Sequence, residues 1–112
     1  MTSAPAHSLE ALWAELWISL ASLLRSYTAA HGLHLKREAV VELTDEQITV
    51  RHGEKWLRLI RRESNVTWTR ENGSMGKLEL TESGTLRCST DEEAMDQKAE
   101  HWAREIMLES ER

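Results

Sequence analysis

The chain has no phenylalanine, one tyrosine, one proline, one cysteine and five glycines in 112 residues. A single cysteine, Cys88, rules out an intramolecular disulfide, and so little proline and glycine rules out a collagen-like or low-complexity chain. The most apolar stretch, Leu9 to Leu24, is interrupted by Glu10 and Glu15 and is too short and too patterned to span a bilayer. The opening Met-Thr-Ser-Ala-Pro-Ala lacks the positive start of a secretory signal, so a cytoplasmic chain is expected. A net charge of −5 without a lysine-rich tract gives no general attraction to phosphate backbones, and nucleic acid is not an expected partner.

Catalytic signatures are missing as well. The sequence holds no glycine-rich phosphate loop, no Gly-x-Ser-x-Gly elbow, no Cys-x-x-Cys pair and no His-Glu-x-x-His helix. A non-catalytic chain without a cofactor or a metal is therefore expected. His31 and His34 are the one closely spaced pair of metal-ligand types, and two imidazoles fall short of the three or four ligands a transition metal requires. His31 is instead expected to interact with a helix C-terminus.

Of the residues present, 40% are apolar and 29% charged, the composition of one ordinary globular domain. We divide the chain into a flexible arm over residues 1–7 and a single α+β domain over residues 8–112. Ser8 reads as the N-cap of a helix running to about Ala30 and stopped by Gly32. Leu9, Leu12, Trp13, Leu16, Trp17, Leu20, Leu23, Leu24 and Tyr27 recur at helical spacing along one face.

From Ala39 to Ser89 the apolar period is two. We read about five strands: Glu38 to Leu43, Gln47 to Arg51, Lys55 to Arg61, Asn65 to Arg70, and a final hairpin of Lys77 to Thr81 with Thr85 to Ser89. Polar turns between them predict a meander. Thr90-Asp91-Glu92-Glu93 has the spacing of a capping box and predicts a second helix there, with Met95, Ala99, Trp102, Ala103 and Ile106 as its buried stripe. Glu92, Glu93, Asp96 and Glu100 would then form its solvated acidic face. The expected architecture is a two-layer sandwich with both helices on one face of the antiparallel sheet. Alternation turns Ala39, Val41, Leu43, Ile48, Val50, Leu57, Leu59, Val66, Trp68, Leu78, Leu80, Leu86 and Cys88 toward the helices.

The same alternation turns Thr49, Arg51, Trp56, Arg58, Ile60, Arg62, Thr67, Thr69, Lys77, Thr85 and Arg87 to the open face, opposed by Glu42 and Glu79. Tryptophan and isoleucine among arginines is the composition of a protein-binding surface. Trp56, Arg58, Ile60, Arg62, Arg51 and Arg87 are therefore the candidate partner-binding residues, with a register slip of one turning Trp56 inward as the alternative. The back of the first helix, with Ala11, Ala14, Ile18 and Ala21, is a candidate interface for a second copy of the chain. The function expected is a protein-binding or adaptor module. A small-ligand-binding or enzymatic domain with a pocket between the sheet and the first helix, lined by Trp13, Trp17 and Trp68, or single-stranded nucleic acid on the basic sheet face, are the alternatives.

The order helix, antiparallel strands, helix resembles that of the frataxins. Asn65-Val66-Thr67-Trp68 is the segment nearest that family's strand motif, and Glu10 and Glu15 are the acids on the first helix. The resemblance implies a metal-associated protein as a further alternative. It rests on layer order, which recurs in unrelated folds.

Overall fold

A computed structural model of the chain describes residues 6–32, 39–89 and 91–109. The first helix, α1, spans Ala6–His31. It starts two residues before the expected cap at Ser8; residues 1–5 of the expected arm lie outside the described residues. The helix ends as expected at Gly32, whose N–H reaches the carbonyls of Thr28 at 2.9 Å and Ala29 at 3.2 Å.

Seven strands follow: β1 (Val40–Leu43), β2 (Gln47–His52), β3 (Lys55–Arg62), β4 (Asn65–Arg70), β5 (Met75–Leu80), β6 (Thr85–Cys88) and β7 (Asp91–Ala94). They form one antiparallel sheet in the order of the chain, the meander that the turn residues predict. The second helix, α2, spans Met95–Glu109. The strand count is seven rather than about five, because the final hairpin contributes two strands and Asp91–Ala94 is a strand rather than the first helical turn. Thr90 lies outside the described residues. The segment after it is drawn into the ladder instead: Ser89 turns the chain in the left-handed region at φ 55°, and β7 then pairs with β6 from Cys88↔Asp91 to Thr85↔Ala94. Glu92 sits opposite Arg87 and accepts the Thr85 hydroxyl at 2.6 Å, so cross-strand partners outcompete the cap.

The core draws on both helices and six of the strands. Trp17, Leu20, Ala21 and Leu24 of α1 meet Ile48, Val50, Leu57, Leu59, Val66, Leu78, Leu80 and Leu86 of the sheet, and Met95, Ala99, Trp102, Ile106 and Met107 of α2. Val41 and Leu43 of β1 pack against this cluster half-buried, as do Ala39 and Trp68. The α2 stripe is the expected one, extended by Met107. Two assignments of burial need correction, one inward and one outward. Cys88 is exposed: it is the last residue of β6 before the turn at Ser89, and strand parity buries a side chain only where something covers it. Ala21, expected on the outer back of α1, is fully buried. The cause is that α1 packs more extensively on α2 than on any strand, which rotates its buried arc toward Ala21 and Thr28. Small residues at such a contact let two helix backbones approach closely.

Candidate functional site

Strand β3 shows the alternation most clearly. Leu57, Leu59 and Arg61 are buried, whereas Arg58, Ile60 and Arg62 are exposed and Trp56 is half-buried. The register fixes which side chains share the outer face. Arg51 pairs with Trp56, Thr49 with Arg58 and Gln47 with Ile60 across β2 and β3. On the other flank, Arg58 pairs with Thr69, Ile60 with Thr67 and Arg62 with Asn65. Thr67 then meets Lys77, and Thr69 meets Met75. A slip of one residue is thus excluded: Leu57 is fully buried and Trp56 stands on the outer face.

Among the described residues this face carries exposed apolar surface. Ile60 is 41% exposed, Val40 48% and Met75 67%. Val40 joins it from β1 through its pairing with Arg51, and Met75 from β5. Neither had been singled out as a site residue in the sequence; each stands at the first position of its strand, where alternation is hardest to phase. The Arg58 guanidinium lies 5.3 Å from the Trp56 ring centre, a cation–π contact. Thr49 is buried on this face and accepts from the Gln47 amide at 3.2 Å.

Charge on the face is graded from flank to centre. Toward the edges the cations are neutralised: Arg51 pairs with Glu42 at 3.2 Å and Arg87 with Glu79 at 2.7 Å. The Glu79 hydrogen bond and charge hold the Arg87 guanidinium above its ordinary pKa. Arg58, Arg62 and Lys77 make no ion pair among the described residues, so the centre of the face stays positive. The Trp56 backbone N–H donates to Glu71 at 3.1 Å. Partial burial opposes ionisation of Glu71, but the N–H groups of Trp56 and of Glu71 itself, with Arg70 and Lys55, hold its carboxyl below the usual range.

No family model fits the chain, and no curated protein or solved structure matches it.

The remaining candidates are scattered. Trp17 is buried and donates to the Thr44 carbonyl at 3.0 Å, whereas Trp13 and Trp68 pack half-buried against the core. Trp68 lies over Gly76, so the three tryptophans serve packing in different places. Nucleic acid stacking would have Trp56 as its one aromatic on the outer face among the described residues. His31 stands in the last turn of α1, at the helix end as expected, and bonds Glu100 of α2 at 3.0 Å, which ties the two helices; His34 lies outside the described residues. Burial opposes ionisation of Glu100, but Arg104 and His31 together hold its carboxyl below the usual range. Glu92 and Glu93, expected on α2, belong to β7, and Glu93 pairs with His101 at 2.8 Å. Among the described residues no three His, Cys, Asp or Glu side chains converge as a metal set, and no helix is long and apolar enough to cross a membrane. Of the candidate dimer residues, Ala11 and Ile18 are exposed, Ala14 is half-buried and Ala21 is in the core.

Proposed function

We propose that the chain is a protein-binding or adaptor module whose recognition surface is the outer face of the sheet, centred on Trp56, Arg58, Ile60 and Arg62. The architecture we read beneath it is a two-layer sandwich, both helices on the opposite face, supported by the shared core of α1, α2 and the inward strand residues. One observation carries the functional reading: Ile60 stands 41% exposed in the middle of a sheet, beside a stacked Trp56–Arg58 pair and between cations that no carboxylate neutralises among the described residues. An apolar anchor ringed by arginine is what a desolvated interface uses, and a partner with acidic groups around an apolar knob would complement it. Isolated exposed apolar side chains are common, but here Val40, Trp56, Ile60 and Met75 share one face.

The test begins with a photo-crosslinking residue at position 60, which identifies what the face touches. The partner's affinity is then measured for the intact chain and for a Trp56→Ala, Arg58→Glu double variant. A loss of at least about tenfold with an unchanged circular dichroism spectrum is expected. Equal affinity of the two would refute the reading.

A further inference from the structure

A second opening lies between the N-terminal half of α1 and the turn joining β1 to β2. It is a cleft of about 660 Å³ whose apolar wall is Ala11, Ala14, Ile18 and Leu43. Ile18 is 55% exposed there, the most exposed large aliphatic side chain on either helix among the described residues. Three carboxylates, Glu10, Asp45 and Glu46, line the same cleft, against one guanidinium, Arg61.

That guanidinium does not cancel the acids. Arg61 is only 6% exposed, and it donates to the main-chain carbonyls of Glu63 at 2.9 Å and Asp45 at 3.1 Å. Its face lies 5.8 Å from the Trp17 ring centre, and its Nε is buried without a partner among the described residues. It bonds carbonyls rather than these acids, and three carboxylates against one cation leave the rim with an excess of negative charge. It also makes the rim rigid. Trp17 holds the Thr44 carbonyl, the Arg61 side chain holds that of Asp45, and the Arg61 N–H holds that of Glu46 at 2.8 Å. All three turn residues are thereby fixed before anything binds, which lowers the ordering cost of association.

We infer that this cleft docks a basic amphipathic helix of another protein, an aliphatic anchor resting on Ile18 and Ala14 and lysines or arginines meeting Glu10, Asp45 and Glu46. The mode is helix in groove, with charge setting the choice of partner. A second copy of the chain fits poorly. Its own basic apolar surface is the outer face of β3, a strand paired on both flanks rather than a free helix that could lie in the cleft. This inference does not rest on the sheet-face reading.

The test uses two labelled 18-residue peptides, one of leucine and lysine in helical spacing and one with glutamate for every lysine, titrated into the full chain and followed by fluorescence anisotropy and amide NMR. Expected is binding of the lysine peptide, with shifts at Ile18, Leu43 and Asp45. Its affinity should fall at least about tenfold in Ile18→Asp and again in an Asp45→Lys, Glu46→Lys variant, all substitutions at exposed positions. Ala14→Trp, which fills the cleft without altering its charge, should block it equally. No binding, equal binding of both peptides with shifts in the cleft, or shifts of the lysine peptide confined to β3 would overturn the inference. So would a concentration-dependent dimer in light scattering that Ile18→Asp abolishes, since a second copy would then be the occupant. The glutamate peptide is matched to the outer sheet face, so its behaviour reports separately on the sheet-face proposal.

Discussion

The two sides of β3 differ in a way that hydrophobicity alone does not explain. On the inner side Arg61 is 6% exposed, and on the outer side its neighbour Ile60 is 41% exposed. Arg61 is buried because it finds two carbonyl acceptors and the Trp17 ring. A buried charge is tolerable only where hydrogen-bond partners replace its water. Ile60 is exposed because strand parity sends it to the face opposite the buried Leu57 and Leu59. Location relative to α1 and α2, not side-chain chemistry, decides burial on this strand.

The sharpest test of this contrast compares neighbours. Leu59→Ala should cost about 2–5 kcal/mol in chemical denaturation, because a fully buried side chain leaves a cavity among its neighbours. Ile60→Ala should cost about 0.5 kcal/mol or less. Similar losses would mean that the outer face is covered, and the contrast would collapse.

A smaller effect is expected on β5. Gly76→Ala would bring its Cβ to 2.6 Å from the Trp68 indole nitrogen, so the indole must shift, at about 1–3 kcal/mol. Met75→Ala, one residue away on the outer face and 67% exposed, should leave the thermal midpoint nearly unchanged.

The smallest effect is electrostatic and concerns Glu71, which bonds the backbone of an outer-face residue, Trp56. Its carboxyl is held below the ordinary range, so its contribution is full above the unfolded pKa of about 4.3 and disappears as pH falls through the lower folded value. Glu71→Gln should cost about 1 kcal/mol at neutral pH and flatten the acid limb of the stability profile. An unaltered acid limb would show that the native ionised Glu71 gains nothing from Trp56, Arg70 and Lys55.

Much of the architecture was legible in the residues. Helical spacing from Leu9 to Tyr27 and the two-residue period from Ala39 to Ser89 mark α1 and the strands, and Asn65–Arg70 is a strand over the expected residues. The outer position of Trp56, Arg58, Ile60 and Arg62 follows from parity once Leu57 and Leu59 are assigned inward. The local pattern misled at Asp91–Glu93, because a cap needs only neighbouring residues, whereas β7 needs β6 opposite it. Cys88 and Ala21 were misplaced for a related reason: each assignment assumed a covering layer, in one case present where none lies and in the other absent where α2 lies. The cleft beside Ile18 had no signal beyond the small residues of α1, since its other wall comes from a turn more than twenty residues away.

By itself the sequence determined the two helices, the strands from Val40 to Cys88, their meander and the inward side of Leu57 and Leu59, since periodicity and turn chemistry act over a few residues. Only the tertiary structure decided that α1 leans on α2, that Asp91–Ala94 closes the sheet, and that Arg61 is buried while Ile60 is not. Those outcomes depend on which surfaces meet across the fold, and the free energy of burial belongs to the pair of surfaces rather than to either one.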